Sequence, residues 1–303
     1  MKKLSRWLAT IALLFLGSRA AAQELGPGFK KVGDGIYVYA AVLNEANSTI
    51  ILTRDGVVLI DTGQSPKDSR VVMAAVKKLT SQPVRFVIHT EPHPDHAMGD
   101  FVFSPPAVVI GHAGSAASMK ASDSFKPERI AKQMASSSEM REAFKDFRLV
   151  LPQIEYRDRM SLNVGERTLE LYYLKNVHSE ADTAIWLPRE RVLFTAASVG
   201  VKRFGNHRPL VSIPDTLSAI RMMKALNPEV VIPGHGNPGT AKILDDMERY
   251  YNALMDGVRQ MVKQGKSLDE IKKELKIPGT EDWEGQDRFP NNIEAAYRAV
   301  KGS

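Results

Sequence analysis

Six side chains of the kinds that bind metal ions fall at or near the ends of predicted strands. They are Glu91, His93, Asp95, His96, His178 and His235. The first four share one short segment after a largely apolar run, and the last two each follow a later strand. Because the chain has no cysteine, any metal must be held by nitrogen and oxygen, which suits zinc and does not exclude iron. Six such ligands are enough for one or two ions and a water, which indicates hydrolytic chemistry.

The other three histidines have a structural interpretation. His89 lies two residues before Glu91 and His112 follows a short predicted strand, so neither is assigned as a ligand. His207 lies in the loop 202–208, which could present cations to a substrate carboxylate; a solvated surface loop is the alternative. Four residues near the C-terminus are expected to seal the final helix onto the body: Trp283, Arg288, Phe289 and Tyr297.

The strand pattern of the first half places Glu91 at the end of a strand. Strands are predicted over residues 36–42, 48–53 and 57–60, followed by a helix over 65–79 in which apolar residues recur at helical spacing. Val84 to Ile88, interrupted only by Arg85, then suits a strand largely covered on both faces. The ligand segment therefore lies on a strand-to-helix loop, where sites in α/β sheets usually occur.

The second half of the chain repeats this order. A short strand is predicted at 108–110, and a polar helical insertion that could cover the site at 127–147. Strands are predicted at 160–162, 168–174, 183–187, 192–195 and 230–232, and helices at 216–226, 241–263 and 268–275, the last opened by a Ser267/Glu270 capping box. Two β-rich halves, each followed by helix, predict two sheets packed face to face with helices outside, a four-layer αββα sandwich.

The first twenty-two residues have the pattern of a secretory signal. Lys2, Lys3 and Arg6 precede an apolar stretch too short to span a bilayer comfortably, and small residues mark a cleavage site before Gln23. An uncleaved anchor is the alternative. We therefore expect a periplasmic or secreted protein with no stable membrane insertion after cleavage.

The composition of residues 23–303 predicts a single α/β domain that ends in a helical extension at about 241–303. The signal segment holds four cations and no anion, so its removal lowers the formal charge from +6 to +2. So small an excess predicts no nucleic-acid partner and leaves a small-molecule substrate as the expected partner.

Several of these segments resemble the metallo-β-lactamase superfamily. The similar segments are Leu59-Ile60-Asp61-Thr62-Gly63, residues 90–99, His178-Ser179-Glu180-Ala181-Asp182 and Pro233-Gly234-His235-Gly236. They occur in order over residues 35–240. The resemblance implies the αββα fold and two metal sites, one formed by Glu91, His93 and His178, the other by Asp95, His96 and His235. It also implies that Asp61 supports a histidine ligand.

Two positions depart from the family pattern. Glu91 stands where the family usually has its first histidine, and Ala197 stands where many members have a bridging aspartate. Ala197 cannot ligate a metal. The count of carboxylates is nevertheless preserved, because Glu91 and Asp95 supply two, so a pair of Zn²⁺ with one hydroxide keeps the same net charge of about +1 as in the usual bridged site.

The resemblance implies a hydrolytic mechanism and leaves three functions open. A metal-bound hydroxide, oriented by Asp95 as the catalytic residue, would attack a carbonyl polarised by one ion. The favoured function is an exported zinc hydrolase that cleaves a lactam, amide or ester, with a β-lactamase among the possibilities. The alternatives are a metallohydrolase of another substrate linked to periplasmic quinoprotein oxidation, and a catalytically impaired binding protein on the same fold.

Overall fold

The computed structural model describes residues 25–40, 46–63, 65–175 and 177–302. The signal segment predicted at residues 1–22 and the end of the strand predicted at 36–42 lie outside this part of the chain. Within the described residues, no helix combines the length and the apolar character needed to cross a membrane.

Two sheets occupy the middle of the molecule. The first has seven strands in chain order: β1 Phe29–Gly33, β2 Ile36–Tyr39, β3 Ser48–Thr53, β4 Gly56–Ile60, β5 Val84–Ile88, β6 Val108–His112 and β7 Ile154–Tyr156. The second has five: β8 Arg159–Val164, β9 Arg167–Tyr173, β10 Thr183–Leu187, β11 Val192–Phe194 and β12 Val230–Ile232. Strands β1 to β4 and β8 to β11 pair antiparallel, whereas β4 to β7 and the β11–β12 pair are parallel.

The inner faces of the two sheets form one apolar layer. Ile36, Val58 and Ile88 of the first sheet and Leu169 and Ile185 of the second are completely buried in this layer. Burying a side chain of this size stabilises the fold by about 1.5–3 kcal/mol. The sheets are therefore held face to face by hydrophobic burial.

Ten α-helices lie among the described residues. They are α1 Pro66–Leu79, α2 Pro94–Ala97, α3 Asp100–Phe103, α4 Ser115–Ala121, α5 Pro127–Ser136, α6 Ser138–Ala143, α7 Ile213–Ala225, α8 Lys242–Lys263, α9 Leu268–Glu274 and α10 Phe289–Lys301. The apolar face of α1 joins the core on the outer side of the first sheet, and α7, α8 and α10 join the core on the outer side of the second. The four-layer αββα sandwich is confirmed.

The helical insertion differs from its prediction. It forms two helices, α5 and α6, because Ser137 takes an extended conformation and its side chain accepts a hydrogen bond from the Met140 N–H at 3.0 Å. Ile130 and Phe144 pack in one apolar cluster with Met98, directly after α2. The insertion therefore supports the ligand helix, and none of its residues lines the cavity beside the ligands.

The limits of several strands agree with the pattern-based prediction. Strands β3, β5, β10 and β12 have the predicted limits, and the Ser267/Glu270 capping box is present. Strands β1 and β7 were not predicted. Both lie at an edge of the first sheet, where one side of a strand has no neighbour and the apolar pattern is weaker.

Candidate metal centre

The segment from Glu91 to His96 leaves the first sheet at the end of β5 and turns directly into α2. His93 is the residue before the first helical position, and Asp95 and His96 lie within the single helical turn. Pro94 takes the first helical position, where its fixed φ suits the start of a helix and its missing N–H costs nothing. One turn of helix at a strand end thus presents several ligand-type side chains together.

The six predicted ligands come together in two groups of three. One group is Glu91, His93 and His178, and the other is Asp95, His96 and His235. Within each group, one potential ligand atom of every residue lies within 4.8 Å of the others. Metal binding by these residues stays a prediction.

The Glu91 carboxylate contacts histidines of both groups. Its Oε2 lies 2.5 Å from His93 Nδ1 and 3.4 Å from His178 Nε2, while its Oε1 lies 2.7 Å from His96 Nε2. The Glu91 side chain is completely buried. A single carboxylate therefore joins the two groups.

Asp95 is the carboxylate of the second group. Its Oδ2 lies 3.2 Å from His235 Nε2 and 3.7 Å from His96 Nε2. The two imidazole rings meet edge to face, with centroids 5.5 Å apart and planes at 89°. The rings of His93 and His178 have the same relation at 5.0 Å and 89°. Each group thus turns two imidazole rings at right angles around one carboxylate.

The charges of the site favour ionised carboxylates. Burial opposes ionisation of Glu91, but the surrounding histidines outweigh it and hold the pKa of its carboxyl well below the ordinary value. Burial also opposes ionisation of Asp95, and His96 with His235 lowers the pKa of that carboxyl to about 2. The carboxylates of Glu91 and Asp95 are therefore both negatively charged at neutral pH.

Two of the histidines that contact Glu91, His178 and His96, have pKa values shifted in opposite directions. Burial lowers the pKa of His178 to about 4, so its imidazole is neutral at pH 7 and can act as a ligand. Burial has the same effect on His96, but Glu91, Asp61 and Asp95 outweigh it and raise the pKa of His96 well above its ordinary value. The negative charges around His96 would favour a bound cation at this position.

The donor atoms of this cluster fit a divalent metal. Glu91 Oε1 and His96 Nε2 face each other at 2.7 Å, yet neither makes a hydrogen bond of acceptable geometry to any described residue. Buried polar atoms without partners are uncommon and costly. Cations bound by the two groups would give these atoms partners, and a set of imidazole and carboxylate donors suits zinc or iron.

Asp61 orients the ring of His96. It follows β4 in a left-handed conformation, with a φ of 54° that few residues other than glycine adopt and aspartate tolerates. The Thr90 N–H donates to Asp61 Oδ1 at 2.7 Å, and the Thr90 hydroxyl donates to Oδ2 at 2.5 Å. The same Oδ2 lies 2.8 Å from His96 Nδ1, so His96 Nε2 is turned toward Glu91 and Asp95.

We expect Asp61→Asn to weaken zinc binding about 10- to 100-fold, the usual effect of removing an outer partner of a histidine ligand. The amide loses the negative charge that fixes the Nδ1 proton of His96. Competition against a chromophoric chelator measures the change. Asp34→Asn is the control, because the Asp34 side chain is fully exposed. Unchanged zinc affinity in Asp61→Asn would show that Asp61 does not support zinc binding through His96.

Asp182 fixes the backbone around His178, a role that the sequence did not reveal. The backbone N–H groups of His178 and Ser179 both donate to its Oδ2, the second at 2.9 Å, and the Ser179 hydroxyl donates to Oδ1 at 2.6 Å. An aspartate four residues after a histidine is the only signal in the sequence. Burial and the charge of Glu91 raise the pKa of Asp182 to about 7.

Asn47 lies far from His235 in the sequence and fixes the His235 loop. Its side-chain NH₂ donates to the carbonyls of Pro233 and Gly236, each at 2.8 Å. Gly234 is needed here, because a Cβ at this position would lie 2.6 Å from the Ala196–Ala197 backbone. No local pattern points to Asn47, which is 186 residues from Pro233.

Ala197 stands where many family members have a bridging aspartate, and its position in the structure agrees with this correspondence. It lines the same cavity as His178 and His235 but offers only a methyl group. Among the described residues that face the two groups, Glu91 supplies the carboxylate that touches both. The acidic group is thus on the β5 loop instead of the loop after β11.

The remaining histidines lie outside the two groups. His89 is buried with its Nε2 2.8 Å from Asp100, and His112 stacks on Tyr173 at 3.9 Å between ring centroids. The alternative of a solvated loop is wrong for His207, which is buried against Tyr251. Its buried environment lowers its pKa to about 4, so it is not one of the cations of the loop 202–208 at neutral pH.

A cavity of about 40 Å³ opens beside the ligand groups. His178, His235, Arg203 and Arg288 are among the residues that line it. The sequence assigned Arg288 to sealing the final helix, and its place beside the metal-type ligands was missed. The sealing role is correct for Trp283, which is buried in the core that covers the second sheet.

Comparisons with known proteins identify the family of the chain. A family model described as the metallo-beta-lactamase superfamily matches residues 42–235, more than half of the chain. A linear primary-alkylsulfatase from Pseudomonas sp. (strain ATCC 19151) is 23% identical over 264 residues, which cover 74% of this chain and 48% of that protein. A metallo-beta-lactamase type 2 from Bacillus sp. (strain 170) is 24% identical over 203 residues, 66% of this chain and 70% of the relative.

Solved structures share the fold at low sequence identity. A stereoselective inverting sec-alkylsulfatase from Pseudomonas sp. matches with a TM-score of 0.71 and 20% identity, over 93% of this chain and 55% of that one. A metallo-beta-lactamase from Pontibacter korlensis matches with a TM-score of 0.59 and 20% identity, over 74% and 98%. The chain spans about half the length of several of the curated relatives that it matches.

Proposed function

The chain belongs to the metallo-β-lactamase superfamily, and from that premise we propose that it is a metal-dependent hydrolase with a two-cation centre. One cation would be held by Glu91, His93 and His178. The other would be held by Asp95, His96 and His235. The observation that carries the proposal is the arrangement of these side chains in two groups that share contacts with one buried carboxylate.

The residues have separate tasks in this proposal. Divalent cations bound here would supply Lewis acidity and a nucleophilic water at neutral pH. Asp95, ionised because its pKa is about 2, can accept a hydrogen bond from the attacking water and orient it. Asp61 keeps the Nδ1 proton on His96, which leaves the Nε2 lone pair directed into the site.

We propose that the cations are zinc. The bond that is cleaved would be that of a lactam, an amide or an ester, and the esters include sulfate esters. The relatives support this range, because some are named alkylsulfatases and others metallo-beta-lactamases. Their identities of 23% and 24% are too low to choose among these substrates.

A substrate panel tests the proposal. Purified protein loaded with zinc is assayed on an alkyl sulfate, an aromatic lactone and a chromogenic cephalosporin, before and after chelation. We expect turnover of at least one compound that chelation abolishes and added zinc restores. A protein that retains two bound cations and hydrolyses none of the three classes would support a binding protein instead.

Export is also proposed, on the pattern of residues 1–22 alone. In a bacterial host, the mature protein is expected in the periplasmic fraction with Gln23 as its first residue. Recovery of the chain in the cytoplasm with Met1 in place would contradict this. A single domain over 23–303 is proposed with it.

A further inference from the structure

We propose that Asn292, on α10, is a positioning residue for substrate selection. It holds together the part of the ligand cavity that is formed by Gly205, Met247, Tyr251 and Arg288, which we call the cavity wall. Through this wall, the C-terminal helical extension would decide which organic group of a substrate fits. The inference rests on the proposed hydrolytic function and adds to it a determinant of substrate choice.

The side-chain amide of Asn292 is completely buried and makes three hydrogen bonds. Its Nδ2 donates to the carbonyl of Gly205 and to the carbonyl of Arg288, each at 2.9 Å. Its Oδ1 accepts a hydrogen bond from the Tyr250 hydroxyl, also at 2.9 Å. Because two carbonyl oxygens can be satisfied only by the NH₂ end of the amide, the side chain has a single suitable orientation.

The two carbonyls belong to distant segments of the chain that meet at the cavity. Gly205 lies in the loop after β11, 87 residues from Asn292, whereas Arg288 is the residue before α10. Both line the cavity that His178 and His235 also line. One buried amide therefore joins two of the segments that form the cavity.

Backbone pairing and aromatic packing bring the same two segments together. The Phe204 N–H donates to the carbonyl of Glu284 at 3.0 Å. The Phe204 ring is buried and packs against Trp283, with ring centroids 5.3 Å apart. These contacts place the loop next to the C-terminal extension, and Asn292 then fixes the direction of the Gly205 carbonyl.

The C-terminal extension supplies much of the cavity wall. Met247 and Tyr251 lie on α8, and Arg288 lies at the start of α10. The family model ends at residue 235, so all three are outside the matched region. The shared fold therefore does not determine this part of the cavity. Because the side chains of Met247 and Tyr251 are largely apolar, it suits the organic group of a substrate.

The polar character of Asn292 points to a need for defined geometry. An apolar side chain of similar size in a buried position can be nearly as stabilising as a hydrogen-bonded one. It could fill the space at Asn292, but it could not orient two carbonyl groups. A buried polar network whose members are all paired makes its surroundings rigid. The amide thus keeps the cavity wall in one arrangement.

Hydrogen–deuterium exchange on the zinc-loaded full chain tests whether Asn292 holds the cavity wall. Asn292→Leu removes the amide at similar volume. Tyr250→Phe removes only the hydroxyl, so it keeps the test open if Asn292→Leu does not fold. We expect residues 202–207 and 284–288 to exchange about tenfold faster in Asn292→Leu, the scale of one lost hydrogen bond, and less so in Tyr250→Phe. Residues 94–103 should exchange as in wild type.

Steady-state kinetics test the effect on the substrate. The alkyl sulfate, the aromatic lactone and the chromogenic cephalosporin are assayed with metal content measured in every sample. For the compound that is hydrolysed, we expect Asn292→Leu to raise KM about tenfold with kcat within about threefold, because binding is impaired and the chemistry is not. Ile293→Val is the matched control, because Ile293 is buried beside Asn292 on α10 and does not line the cavity. It should lower the thermal stability and leave KM unchanged.

The outcomes separate the role of Asn292 from the hydrolytic function. Wild-type exchange of residues 202–207 in Asn292→Leu and Tyr250→Phe would overturn the positioning role, and so would equally fast exchange in Ile293→Val. Faster exchange with a wild-type KM would overturn the role in substrate choice and leave the hydrolase standing. If none of the three compounds is hydrolysed, the proposed function fails, and the exchange rates alone decide whether Asn292 holds the wall.

Discussion

Glu91→Ala is expected to lower the zinc content from two ions per chain to less than one and to reduce hydrolysis about a thousandfold or more. The carboxylate contacts His93 and His178 through one oxygen and His96 through the other. Its removal therefore takes a ligand from the first group and a negative partner from the second. Because each cation would stabilise the transition state by several kcal/mol, loss of both removes most of the catalysis.

Two further variants make the Glu91 experiment specific. Glu91→His restores the residue that the family usually has at this position and should retain one cation in the first group. Glu180→Ala is the control, because Glu180 is an exposed carboxylate close to His178 in sequence. Plasma mass spectrometry on dialysed protein gives the metal content. If Glu91→Ala loses one zinc and binds the other with native affinity, Glu91 serves one group only and does not join the two.

His178→Ala and His235→Ala are expected to lose one zinc each and to reduce turnover about a thousandfold. Each histidine belongs to a single group. Removal of either should therefore leave the other cation in place, in contrast to Glu91→Ala. The loss of turnover corresponds to about 4 kcal/mol, the scale on which a catalytic cation acts. Metal analysis and steady-state kinetics on the same samples check both parts of the prediction.

His112→Ala is the matched control for these histidine variants. His112 stacks on Tyr173 and belongs to neither group. It should keep both zinc ions and nearly full activity. A zinc content in His178→Ala or His235→Ala equal to that of His112→Ala would contradict the assignment of the histidine concerned.

The ligand groups could be anticipated from the sequence because their signals are local. Four of the six residues lie within one turn of helix and its entry, and the apolar run of β5 marks where that turn begins. His178 and His235 follow equally clear strand patterns. The alternation of β-rich and helical segments also predicted the fold, since the layers follow from which faces are apolar.

Apart from Asp61, which the resemblance implied, the residues that surround and support the ligands could not be anticipated in the same way. Asn47 supports the loop of His235 from a distant part of the chain, and Arg288 reaches the ligand cavity from near the C-terminus. These contacts depend on how the two sheets pack, and no spacing in the sequence encodes them. The contact of one Glu91 oxygen with each group likewise depends on the rotamer that the buried site imposes.

Zinc titration of the metal-depleted full chain, followed by native mass spectrometry, tests the central claim most directly. The account predicts that two zinc ions bind per chain. A chain that never binds more than one zinc, or that binds none, would contradict a two-cation centre joined by Glu91.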